Sequence, residues 1–202
     1  MKLSDIDFSA ISRMMDSMSD EEKEKLNDYA NNMMNNMKEK MEPEAEEEED
    51  FYSYLGINEE EYSNLPGIVL DQLEAASDME QYYEDVKDAD FSASALFYGK
   101  ATLNMLRKYV QPIFKNFFDG LSNPSTTTIY SYLYPLMNQE NIHLLVDEEF
   151  GDSMTWVELK NTLQQVYLIV QRAEFDFVSY EDLMALKQVL IQDEGLLKIK
   201  IY

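Results

Sequence analysis

Residues 92–119 read SASALFYGKATLNMLRKYVQPIFKNFFD, and this stretch decides the fold. Leu96, Gly99, Leu103, Leu106, Val110, Ile113 and Phe117 step by three and four over about six turns, the period of one helix face. The spacing predicts a helix over 92–119, kinked at Pro112 and closed by Gly120. Its charge points the same way. Residues 92–118 hold no acid, only Lys100, Arg107, Lys108 and Lys115, whereas residues 71–90 hold eight acids and one lysine. A +4 helix following a −7 segment reads as the centre of a domain with acidic neighbours packed around it.

Outward from that helix, the rest of the chain reads as mainly α. Pro66-Gly67 opens a run with Val69, Leu73, Ala76, Tyr83 and Val86 in phase, which Ser77-Asp78 can divide. Asn123-Pro124 starts another segment, with Ile129, Leu133 and Met137 on one face, although Tyr130, Tyr132 and Tyr134 alternate as a strand would. Trp156, Leu159, Leu163, Val166, Tyr167 and Val170 make a further helix. Ser179 with Asp182 caps one that carries Leu183, Leu186, Leu190 and Ile191 and stops at Gly195. Two segments read as β. Residues 196–202, in which Leu197, Ile199 and Ile201 alternate with Lys198 and Lys200, predict a C-terminal strand, and residues 141–147 its mate.

The first 50 residues differ in kind. They contain eight of the 13 methionines, Phe8 and Tyr29 as their aromatics, and 16 acids against six bases. Residues 1–42 predict a helical hairpin, in which Ser19 and Glu22 have capping-box spacing. Its second helix presents Leu26, Tyr29, Ala30, Met33, Met34, Met37 and Met41 on one narrow stripe. Pro43 ends that helix, and residues 43–50 form an acidic linker whose like charges repel and stay solvated. Residues 51–202 make the main helical domain.

The charge balance excludes several functions. Forty acidic against 16 basic side chains give a net charge of −24 over 202 residues. Such a chain lacks the basic face that grips nucleic-acid phosphates or anionic membrane. Without cysteine it forms no disulfide or thiolate metal site, and its one histidine, His143, precludes a two-histidine site within one chain. No cofactor or metal is expected. No run approaches the roughly 20 apolar residues of a membrane span, and the first residues show no secretory pattern, so a soluble cytoplasmic protein is expected.

Catalytic motifs are equally scarce. His143, between Ile142 and Leu144, has no adjacent nucleophile or orienting group in a recognisable motif, and reads as an ordinary histidine. From Asp147, Glu158 falls twelfth as an EF-hand requires, but Asp152 takes the place of the sixth-position glycine, so a solvated turn is expected. Asp88-Ala89-Asp90 is too short a motif to hold a cation, and Asp90 is better placed as a helix cap. No phosphate-binding glycine loop or nucleophile elbow occurs.

What remains is a non-enzymatic acidic binding module. Its partner would be a basic protein that it inhibits or escorts, as an immunity protein, antitoxin, chaperone or phage-encoded inhibitor does. Leu26, Tyr29, Met33, Met34, Met37 and Met41 are the expected contact face, because flexible methionines fit varied apolar partners. The alternatives are a scaffold self-associating, as a homodimer, through the same helices, and an enzyme with a carboxylate site.

Overall fold

The computed structural model describes residues 50–200, apart from Glu84, Asp85, Lys87 and Asp152. The N-terminal hairpin over 1–42, most of the 43–50 linker and the Met-rich face lie outside the described residues. Asp50 is where the described body begins: its carboxylate caps α1 (Phe51–Leu55) by accepting from Ser53 N at 2.9 Å.

The body is helical throughout, and no strand occurs among the described residues. After α1 come α2 (Glu59–Tyr62), α3 (Gly67–Tyr83) and α4 (Ser92–Met105). A π-turn, Leu106–Val110, carries α4 directly into α5 (Gln111–Phe114). Two 3-10 turns lead to α6 (Ile129–Asn138), followed by α7 (Ile142–Phe150), α8 (Trp156–Phe175) and α9 (Tyr180–Lys187). A second π-turn, Gln188–Gln192, precedes the short α10 (Gly195–Lys198).

Helix α4 buries a different face from the one its period predicts: Leu96 and Leu103 are only half-buried. It packs against α3, α8, α9 and α6. Surrounded this way, it buries more than one stripe: Ala95, Tyr98, Ala101, Met105 and Leu106 are fully covered. Gly99 lets α8 approach, because a Cβ there would collide with the Val170 side chain.

The expected kink at Pro112 takes another form. Proline cannot donate to the carbonyl four residues back, and its ring crowds that oxygen. The helix widens by one residue just before it, with Gln111 N–H donating to Leu106 O, and continues. The helix ends at Phe114 rather than 119. Phe118 folds back on Phe114, ring centroids 5.6 Å apart, and the buried Gln111 amide donates to Leu121 O at 2.8 Å. Phe117, placed on the buried face by period, is therefore 59% exposed.

Both strand expectations fail. Residues 142–150 form α7, because Ile142, Val146 and Phe150 recur every fourth residue and all three are buried. At the C-terminus, Leu196 and Ile199 are the buried pair, three apart, on the turn of α10; Ile201 and Tyr202 lie outside the described residues. The alternation of Tyr130, Tyr132 and Tyr134 belongs to a helix, α6, that buries Tyr132 and leaves its two neighbours out. Helix α3 runs unbroken through Ser77, whose hydroxyl is absorbed by Glu74 O at 2.8 Å. The capping box at Ser179 and Asp182 forms as its spacing predicts.

Candidate functional site

The apolar face of α3 contains one charged residue in phase with it. Val69, Leu73, Ala76 and Glu80 all point into the core, and Glu80 is only 3% exposed. A buried carboxylate is costly unless its oxygens are occupied. Both are. Tyr98 of α4 donates its hydroxyl to Glu80 Oε1 at 2.7 Å, and Lys187 of α9 donates its ammonium to Oε2 at 2.7 Å. Burial, with the Glu80 charge beside it, pushes the Tyr98 phenol far above its usual range, so Tyr98 stays a donor. The Lys187 ammonium also lies 5.2 Å from the Tyr54 ring centroid.

The N-terminus of α4 is stitched to the segment before α9, and this closes the site. Asp90 Oδ1 accepts from Ser92 N at 3.0 Å, Ser92 Oγ at 2.6 Å and Val178 N at 3.2 Å, while Phe91 N donates to Val178 O at 3.0 Å. Phe91, not Asp90, takes the N-cap position of α4; Asp90, one residue earlier, accepts from the first amide of the helix and cross-links it to Val178. The Ser92 hydroxyl, with the backbone donors, holds its carboxyl below the usual range despite some burial.

Aromatic rings gather at this junction. Phe91 lies 5.6 Å from Tyr180 and 6.2 Å from Tyr83, and Tyr83 lies 4.9 Å from Tyr82. Beside Phe91 and Tyr180 opens a cavity of about 550 Å³ with Glu80 in its lining. Tyr54, Phe91, Phe177 and Tyr180 wall it, and Asp88 and Glu181 add exposed carboxylates. Asp88 occupies the left-handed region at φ 57°, which aspartate tolerates better than most residues. Glu80 and Lys187 cancel, so the lining keeps two net negative charges. Part of this aromatic lining stays in water: Tyr180 is 59% exposed and Phe177 46%.

A second concave surface lies along α6. Phe117, Phe118, Tyr130, Tyr134 and Pro135 line an apolar groove of about 460 Å³, and Tyr130 lies 5.9 Å from Tyr134 and 5.2 Å from Tyr167.

The residues expected from sequence to bind a partner, Leu26, Tyr29, Met33, Met34, Met37 and Met41, lie outside the described residues. His143 is exposed on α7, its ring 6.3 Å from that of Trp156. Asp147 is engaged in accepting from Trp156 N at 3.2 Å. Sequence reasoning missed Glu80, Tyr98 and Lys187. The signal was there: Glu80 stands four residues after Ala76 and seven after Leu73, and Lys187 four after Leu183. Comparison with protein-family models, with curated proteins and with solved structures returned no match.

Proposed function

We propose that the chain is a non-enzymatic acidic protein-binding module that engages a basic protein partner and inhibits or escorts it in the cytoplasm. The observation that carries this reading is the concave aromatic rim set among carboxylates in a chain of charge −24. Large apolar side chains held in water mark contact surfaces, and the surrounding charge selects the sign of what arrives. The Met stripe over Leu26–Met41 adds adaptable apolar contact.

Immobilising the chain in lysate of its native host at low salt, then eluting with a salt gradient, tests the reading. One or a few basic proteins should be retained specifically and leave as salt rises. Retention of acidic or neutral proteins alone, or elution indifferent to salt, contradicts it.

A further inference from the structure

We infer that the cavity beside Glu80 is a receptor for one lysine or arginine side chain; that a protein supplies it rests on the function proposed above. Four features specify such a ligand. Four aromatic residues, Phe91, Phe177, Tyr180 and Tyr54, line the walls, and an aromatic face attracts a cation through its quadrupole. The charge has the right sign: with Glu80 neutralised by Lys187, Asp88 and Glu181 remain to meet an incoming positive group. The cavity, at about 550 Å³, admits a long side chain whose stem lies on Phe177 and Val86 while its head reaches the carboxylates. The frame is also built before the ligand arrives, because Glu80 is held by Tyr98 and Lys187, and Phe91 by Val178.

The molecule already uses this chemistry once on the same wall. The Lys187 ammonium is shared between the Glu80 carboxylate and the Tyr54 ring, so acid plus ring holds an ammonium from behind the cavity. On the open side an incoming cation meets the same two kinds of group, an aromatic ring and a carboxylate, in Tyr180 with Asp88 and Glu181. An anion is repelled by Asp88 and Glu181, and a neutral apolar side chain would strip water from them without replacing it.

The test titrates the full chain with blocked tripeptides, acetyl-Gly-X-Gly-amide with X lysine, arginine, norleucine or glutamate, and follows the aromatic resonances of Phe91, Phe177 and Tyr180 by NMR. Lysine and arginine peptides should shift these rings saturably, and norleucine and glutamate peptides should not. In the Tyr180→Ala/Glu181→Gln variant, whose two side chains are exposed and whose melting temperature should be unchanged, the affinity should fall at least about tenfold. Equal shifts with norleucine, or silent rings with both cationic peptides, overturn the inference. The two readings can fail separately. Capture of a basic protein as well by the double variant as by the wild type sinks the cavity's role and leaves the proposed function standing. Ring shifts with lysine, together with no basic protein retained from lysate, uphold the cavity's chemistry and sink the protein source.

Discussion

Glu80 and Lys187 stand 107 positions apart in the chain and 2.7 Å apart in the fold, joining α3 to α9 across the flank of α4. Removing one member of a buried pair leaves the other uncompensated. Lys187→Met is therefore expected to cost about 3–5 kcal/mol, a large share of a typical total of about 5–15. Adding Glu80→Gln should restore much of the loss, because the amide oxygen still accepts from Tyr98 without carrying a charge. Urea unfolding of both variants measures this. A single variant within about 0.5 kcal/mol of wild type would show the pair to be solvated.

The legibility of this fold in its sequence follows from what each residue does. The Ser179–Asp182 spacing placed the start of α9, because a capping box is a local signal, whereas the period over 92–119 put Leu96, Leu103 and Phe117 on a buried face that Ala95, Tyr98 and Met105 take instead. The strand over 141–147 was misread because a short apolar run fits a strand or a buried helix until its neighbours decide. Val146 and Phe150 decide it, by meeting the core at helical spacing. The cavity was illegible for a different reason. Its walls come from α1, α3, the 86–91 connection, the 177–179 segment and α9, and ties such as Asp90–Val178, 88 positions apart, and Glu80–Lys187, 107 apart, bring them together. Glu80 alone gave a local sign, as a charge in phase with an apolar face.

Leu106 is fully buried where α4 passes into its π-turn. Leu106→Asp would place an unpaired carboxylate there, at a cost of several kcal/mol. The variant should lose its cooperative thermal transition by circular dichroism. A soluble variant melting at the wild-type temperature would mean that this position is not core.

Gly99 sits where α4 crosses α8, with Val170 in the space a Cβ would need. Gly99→Ala should destabilise by about 1–3 kcal/mol through overpacking, and Val170→Ala in the same chain should recover most of it. Strictly additive losses in calorimetry would place the two residues out of contact.

Tyr62 is 2% exposed, and its hydroxyl makes no hydrogen bond among the described residues. Burial first, then the charges of Glu194 and Glu61, push its pKa up to about 12. A folded-state value above the usual 10.0 means that the neutral phenol contributes fully below pH 10 and is lost as pH rises toward 12. Tyr62→Phe should be neutral or stabilising by about 1 kcal/mol at pH 7, since no bond is broken and an unsatisfied polar group is removed. Its advantage should widen between pH 10 and 12 in thermal melts. A loss at pH 7 would show that the hydroxyl has a partner, and an advantage constant with pH would show that the phenol is solvated.

The central claim, that an acidic field recruits a basic protein, is tested most directly by the association rate of the captured partner as a function of salt. Charge acts on encounter, so the rate should fall steeply between about 50 and 500 mM salt, as the screening length shrinks below about 5 Å. Replacing Met33, Met37 and Met41 by serine should instead speed dissociation and leave that slope unchanged. An association rate flat across this range would contradict the account.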